Sequence, residues 1–294
     1  MVEFDVPEID YDRYSNRQLA GPPLAVLGFS LLVLVVYYLL HGTPVPLGFD
    51  FTGGTELRIA TDAGQSGIRE AFDAPIDSIR PVQGSNEYIV TFLDQGSSSA
   101  EAIKSTAEAA GFDVQRTSTR SAAFGTTNQQ NALLGLALAF AGMSVFVFAL
   151  FRTFVPSIAV VISAFSDIVI PLAIMDLLAL TGLFDINLSL GTVAALLMLI
   201  GYSVDSDILL NNHILRRRGS FYESTYNAMQ TGVTMTLTSI AAMIVMTLVS
   251  SILSIPLLPD IGLILVFGLT ADLMNTYMLN LSLLRWYKFE GVAR

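Results

Sequence analysis

Cysteine is absent from this 294-residue chain and histidine occurs twice, so disulfides, thiol chemistry and a Cys/His zinc site are excluded. Charge is scarce: Asp, Glu, Lys and Arg make up 14% of the residues, against about 25% in soluble domains. No cleavable signal peptide is expected, because the first 21 residues are acidic and polar without a basic stretch leading into a short apolar core. Gly53-Gly54, the one glycine pair that invites a phosphate-loop reading, lacks the lysine and the following helix that such a loop needs. No short-period repeat and no low-complexity tract occurs.

What the chain has is apolar length. It is 53% hydrophobic with a mean hydropathy of +0.61, a composition that belongs in a bilayer. Six apolar runs are expected to cross it as helices: 24–40, 132–151, 156–180, 188–210, 233–253 and 261–284. Gly21-Pro22-Pro23 opens the first, and His41-Gly42 closes it. Arg13, Arg17, Arg152, Arg216, Arg217, Arg218, Arg285, Lys288 and Arg294 fall on one side if both termini are cytoplasmic, while the short opposite loops near Asp185 and Pro256 carry no Lys or Arg. The chain therefore divides into a cytoplasmic leader (1–21), a first span (22–41), an outer block (42–131) and a five-helix membrane bundle with a short cytoplasmic end (132–294).

The outer block reads strand (55–61), helix (65–72), strand (76–82), strand (88–93), helix (99–110), strand (112–118), with turns at Asp62-Ala63-Gly64, Gly84-Ser85-Asn86 and Gly111. The order β-α-β-β-α-β is the split βαβ of a ferredoxin-like α+β sandwich. It lacks histidine and its acids are scattered, which suits a binding or docking module better than an enzyme. The net charge of −10 is concentrated outside the spans, in Glu3, Asp5, Glu8, Asp10 and Asp12 and in the outer block, where eleven acids face six bases. Such a surface either recruits a basic partner or keeps a protein hydrated in high salt.

Chemistry is expected where carboxylates lie inside spans. Each costs about 2.5–3.5 kcal/mol on insertion scales, so an ionisable group at that depth carries a functional hypothesis. Asp167 falls near the centre of the third span and Asp272 near that of the sixth. Asp205 and Asp207 lie on the order of 5 Å to the cytoplasmic side of centre in the fourth. Two residues apart, they project about 200° from each other and cannot share a face. No Lys or Arg sits deep in any span, so these carboxyls can load and release a proton as access switches sides, or stay neutral and bond Ser, Thr or Asn across helices. Ser203 and Ser206 flank them in Gly201-Tyr202-Ser203-Val204-Asp205-Ser206-Asp207. Thr231, Thr234 and Thr238 form a hydroxyl face at helical spacing on the fifth span, available to bond neighbouring carboxyls or simply to let helices approach. His213 at the cytoplasmic mouth is either a relay or a solvated interfacial residue. An intramembrane aspartyl protease is excluded by context, since neither Tyr-Asp nor Gly-x-Gly-Asp surrounds these residues.

The octet Gly48-Phe49-Asp50-Phe51-Thr52-Gly53-Gly54-Thr55, directly after the first span, resembles the signature of the SecF family of protein-export subunits. The fourth-span string 201–210, and Phe267-Gly268-Leu269-Thr270-Ala271-Asp272 with Asn275-Thr276-Tyr277, are similar to its archaeal members. The resemblance covers roughly residues 22–287. It implies membership of the resistance-nodulation-division superfamily, with six spans as one pseudo-symmetric half and SecD as the other. The family role is to assist Sec translocation of unfolded polypeptide beyond the SecY channel, driven by a proton or sodium gradient, with no covalent chemistry, no cofactor and no nucleic acid. The implied location is the plasma membrane of a halophile-like archaeon. Two departures stand out. Bacterial members commonly read Gly-Tyr-Ser-x-Asn-Asp-Thr in the fourth span, which sets Ser206 where their Asp stands, and they carry an Arg early in the fifth span where this chain has Thr231 or Gly232. A bacterial proton route therefore does not transfer residue for residue. The alternatives are half of a cation-coupled small-molecule or lipid exporter and a scaffold that does not transport.

Overall fold

The computed structural model describes residues 11–82, 85–92, 100–181, 186–216, 220–253, 255 and 257–291. The expectations placed on residues 1–10, Gly84, Leu93, Ser99, Asp185, Arg217, Arg218, Pro256 and Arg294 lie outside them. Among the described residues six helices have the length and apolarity to cross a membrane. They are α1 (Asn16–His41), α5 (Ala122–Phe151), α6 (Phe154–Thr181), α7 (Leu190–Arg216), α8 (Phe221–Ile252), and α9 (Leu258–Met274) continued by a π-helical turn (Asn275–Asn280) and α10 (Leu281–Trp286).

Three of these helices begin well before the apolar runs. The Ser15 side chain caps α1 in a reciprocal pair with Gln18, Ser121 accepts the Phe124 N–H at 3.2 Å to start α5, and Ser220 accepts the Glu223 N–H at 3.2 Å to start α8. Pro22 and Pro23 lie inside α1, not at its start. Residues 122–131 likewise belong to a span helix that projects outward as a polar stalk. Polar residues can be helical, and a hydropathy window misses them.

Between α1 and α5 lie α2 (Phe49–Thr52), β1 (Gly54–Ala60), α3 (Gly64–Ala71), β2 (Ile76–Val82), β3 (Glu87–Phe92), α4 (Ala100–Ala109) and β4 (Asp113–Arg120). The sheet order is β2-β3-β1-β4, antiparallel throughout, as a ferredoxin-like sandwich requires. Pro81 is tolerated because β2 is an edge strand. Leu57, Ile59, Val90 and Phe92 pack one face against Ile68, Phe72, Ile103 and Ala107. The opposite face presents Glu56, Arg58, Arg80 and Arg116 to a cavity of about 260 Å³, closed on its far side by Asn187, Ser189, Leu257 and Asp260.

Within the bundle, α6, α7 and α9 form the interior, and the apolar core joins Ile168, Met175, Leu196, Leu199, Ile264, Leu265 and Leu269. Helices α5 and α8 lie outside it and are largely exposed. At the end where the chain enters, Arg285 donates to the carbonyls of Tyr11 (3.0 Å) and Tyr14 (2.8 Å). Lys288 there donates to the carbonyl of Ile214 at 3.1 Å.

Candidate functional site

Where α6, α7 and α9 meet, three carboxyls are fully buried: Asp167, Asp207 and Asp272. Asp167 accepts the Ser203 hydroxyl at 2.5 Å and the Asn275 amide at 2.5 Å. Asp272 accepts the Ser206 hydroxyl, with Oγ 2.8 and 3.0 Å from its two oxygens. Thr276 Oγ1 bridges the remaining gap, 2.8 Å from Asp207 Oδ1 and 3.1 Å from Asp272 Oδ1. Beyond Asp207 the chain of contacts runs toward the Arg285 end of the bundle. Asn280 Nδ2 donates to Asp207 Oδ1 (2.8 Å) and to Asn211 Oδ1 (3.1 Å), and Asn211 Nδ2 donates to the Pro156 carbonyl at 3.3 Å.

The π-helical turn makes this geometry. Its wider winding carries Asn275, Thr276 and Asn280, all fully buried, onto the surface that faces α6 and α7. Such turns are rare and occur often at functional sites. The charge arrangement is equally unusual. No Lys or Arg occurs in residues 153–215 or 219–284, and among the described residues no basic side chain pairs with the three carboxyls. Ser206 and Thr276 have one hydroxyl hydrogen each. Ser206 Oγ lies within reach of Asp272, the Ser203 carbonyl and, at 3.2 Å, Thr276 Oγ1. Two hydrogens cannot serve all these acceptors. Asn275 Oδ1 and Asn280 Oδ1 have no hydrogen-bond partner in this structure, and Asp207 meets the Ser163 hydroxyl only at the outer limit of a hydrogen bond. Buried oxygens left so are costly.

Asp167, Asp207, Asp272, Ser203, Ser206 and Asn275, six residues singled out from the sequence, therefore converge. Others do not. Asp205 is exposed on the opposite side of α7, as two residues' separation demands. The hydroxyl face of α8 takes no part: Thr231, Thr234 and Thr238 are exposed and donate to their own helix, to the carbonyls of Asn227 (3.4 Å), Gln230 (2.7 Å) and Thr234 (2.6 Å). A Thr side chain on a helix reaches the carbonyl four residues back more easily than a neighbouring helix. His213 is buried with its ring nitrogen 2.9 Å from the Leu209 carbonyl, not solvated. At Gly232 a Cβ would stand 2.1 Å from the buried Tyr277 hydroxyl, so a larger residue has no room there unless Tyr277 moves. Thr276, read from the sequence only as part of the family-like string, joins the cluster as well, together with Asn280 and Asn211, to which the sequence reading gave no role because uncharged polar residues near a span's end are unremarkable there. Asp176 on α6, buried with both carboxyl oxygens unpartnered, escaped that reading.

The octet after the first span forms a joint. Asp50 pairs with Arg120 at the end of β4 and accepts the Leu190 N–H at 3.0 Å, at the first turn of α7. Its carbonyl accepts from Asn128 on α5 at 3.3 Å. The Arg120 guanidinium lies over the rings of Phe49 (5.3 Å) and Phe124 (5.8 Å). Gly48 N donates to the Leu188 carbonyl and Leu188 N to the Pro46 carbonyl, both at 2.8 Å. Gly53 has φ +72°, and a Cβ on it would stand 2.8 Å from the Ser121 backbone; one on Gly125 would stand 2.6 Å from the Phe51 carbonyl. The glycines permit contact of backbone on backbone, which ties the outer domain to α5 and α7.

Known proteins agree with this architecture. The family described as "Protein export membrane protein SecD/SecF, C-terminal" matches residues 100–290. The protein-export membrane protein SecF of Haloferax volcanii is 66% identical over 294 residues, and that of Haloquadratum walsbyi 60% over 297, each alignment covering 100% of both chains. Both relatives are haloarchaeal, which accords with the acidic composition. Among solved structures, SecDF from Thermus thermophilus, described as a translocon-associated membrane protein, superposes with a TM-score of 0.71 at 17% identity, over 96% of this chain. A SecDF in a super-membrane-facing form gives 0.54 at 19% identity. The present chain spans 39% of the length of each of those two. On the family match and the full-length relatives, the chain belongs to the SecF family of protein-export membrane proteins.

Proposed function

We propose that the chain is the SecF subunit of a SecD-containing complex that uses a cation gradient to assist movement of unfolded polypeptide delivered by a SecY-containing channel. It performs no covalent chemistry. Both termini lie in the cytoplasm and the ferredoxin-like domain lies outside, as the basic residues at one end of the bundle favour. The observation that carries the reading is the Asp167–Asp207–Asp272 cluster. Three carboxyls with no basic partner persist in the packed interior of α6, α7 and α9, where an isolated charge would be strongly disfavoured.

Gain or loss of a proton, or of a monovalent cation, changes which of Ser206, Thr276 and Asn280 can donate, and so changes how α9 packs on α6 and α7. The joint at Asp50 transmits such a change, because α7 carries the Asp50 contact at its first residue and Asp207 seventeen residues further along. The outer domain follows the spans. The cavity beneath its sheet is lined by charged and polar groups, unlike the apolar pocket that a lipid or drug exporter needs.

Export into vesicles by the complete complex tests this. Asp207→Asn and Asp272→Asn should each leave the complex assembled while slowing gradient-dependent export at least about tenfold. Export at wild-type speed with the same gradient dependence would overturn coupling, and loss of the complex itself would assign the cluster a scaffolding role.

A further inference from the structure

Among the described residues Asp176 is a fourth fully buried carboxyl, and the Asp167–Asp207–Asp272 cluster does not include it. It lies five residues before the outward end of α6 at Thr181, on the order of 8 Å beneath that end and about 14 Å along the helix from Asp167. Each carboxyl of the cluster accepts from a neighbouring hydroxyl or amide, as a carboxyl serving only to hold helices together is expected to do. Neither oxygen of Asp176 has a hydrogen-bond partner.

Nine residues turn a helix through about 180° beyond whole turns. Asp176 therefore points away from the cluster, toward the side on which α1 packs. The buried Tyr37 of α1 lies within its electrostatic reach. The exposed His41 stacks on the Tyr37 ring with centroids 4.2 Å apart. Other described elements bring no charge to this part of α6. Helix α5 and residues 190–201 of α7 hold no titratable residue, and Asp260, in the first turn of α9, lines the cavity beneath the sheet. The π-helical turn meets α6 lower down, at Asp167.

Polar groups continue from Asp176 toward the cluster. Ser30 lies two turns below Tyr37 on the same buried stripe of α1. Ser166 of α6 is buried with its hydroxyl unpartnered, and it projects between the directions of Asp176 and Asp167, about 80° from one and 100° from the other. Pro171 has no N–H to give the Asp167 carbonyl. A line of oxygens thus descends from the outer mouth of the α1–α6 seam, through Ser30, to Ser166 beside Asp167. A metal cation gathers several oxygens around itself, whereas Asp176 offers those of a single carboxyl, which suits a proton.

We propose that Asp176 is the outer-side proton acceptor of the coupling route, loaded from the outer medium at the Tyr37–His41 end of the α1–α6 seam and unloaded toward Ser166 and Asp167. The proton leaves outer water for the carboxylate, and leaves the carboxyl for the cluster. The inference rests on the reading of the cluster as a cation-coupling site and adds to it the ion and its entrance.

The test uses the whole complex in vesicles, with the pH on the side of the outer domain set independently. Asp176→Asn should leave the complex assembled, lower gradient-driven export at least about fivefold and remove its response to outer pH. Asp176→Glu, which still carries a proton, should restore that response. The chain has no cysteine, so single cysteines report the seam. A small thiol reagent added from the outer side should modify Ser30→Cys and spare Met175→Cys, which neighbours Asp176 in α6 but sits in the apolar core. A wild-type response to outer pH in Asp176→Asn, or protection of Ser30→Cys, would overturn the inference; Asp207→Asn would still abolish coupling, and the cluster reading would stand. Loss of assembly in Asp176→Asn and Asp176→Glu alike would overturn it too, by making the residue one of packing. If Asp207→Asn also exports normally, the coupling reading fails with it.

Discussion

Asp50 accepts the backbone N–H of Leu190 at 3.0 Å across 140 residues of sequence. A side chain of the outer domain's entry thereby caps the helix that holds Asp207, seventeen residues and roughly 25 Å further along. An acceptor at a helix N-terminus contributes about 1 kcal/mol, and a carboxylate adds its interaction with the helix dipole. Arg120 shares the same carboxylate, so the contact joins β4, α7 and the span entry at one point.

Asp50→Ala should therefore destabilise the joint by about 1–2 kcal/mol and slow gradient-driven export with the complex still assembled. Asp50→Asn, which keeps the acceptor and loses the charge, should be milder. Hydrogen exchange at residues 188–193 and 117–120 measures the loosening, and equal protection in Asp50→Ala and wild type would refute the joint.

Gly125→Ala brings a methyl to 2.6 Å from the Phe51 carbonyl, whereas Gly142→Ala meets nothing within 4 Å. The first should cost about 2 kcal/mol or more, in line with overpacking elsewhere. The second should be neutral or slightly stabilising, since alanine has the better helix propensity. Thermal unfolding in detergent compares the two.

Thr276 is the hydroxyl between Asp207 and Asp272. Thr276→Val keeps the shape and removes the bridge, at a cost of about 1–3 kcal/mol for a buried charged or polar group left unsatisfied. It should abolish gradient dependence, and Thr276→Ser should restore it. Export assayed with and without an imposed gradient distinguishes the two. Simultaneous Ala substitution of Thr231, Thr234 and Thr238, whose hydroxyls bond only their own helix, should leave export unchanged.

Glu56 lies on the open face of the sheet, partly buried, and its pKa is raised by desolvation, a shift that nearby Arg80 and Arg116 offset in part. A carboxyl raised in the folded state favours folding below its unfolded pKa, and that contribution is lost as pH rises through the folded value. Glu56→Gln should therefore raise the melting temperature of the outer domain at neutral pH, with the gain shrinking toward pH 4. A gain that grows on acidification would contradict the assignment.

Much of this was readable in one dimension. Run length and charge placed the six spans, and alternation with turn residues placed the strands of the ferredoxin-like order. Their starts were not: Ser15, Ser121 and Ser220 begin helices in polar sequence, where hydropathy is silent. The three interior carboxyls were visible because any Asp in an apolar run stands out. The roles of their partners Thr276, Asn280 and Asn211 were not, because Thr276 and Asn280 are brought to the carboxyls by a π-helical turn that no simple periodicity announces, and Asn211 joins them only through Asn280.

The sequence by itself determined which segments are helix, strand or span, because those states depend on neighbours close along the chain. It also required that Asp205 and Asp207 part company, since a helix allows nothing else. Only the tertiary structure decided which of the two turns inward, because the rotation of α7 about its axis is set by its packing on α6 and α9. The contacts of the Gly48–Thr55 octet were decided in the same way. Its contacts are made with backbone at residues 121 and 188, and chain-distant contacts exist only once the helices have met.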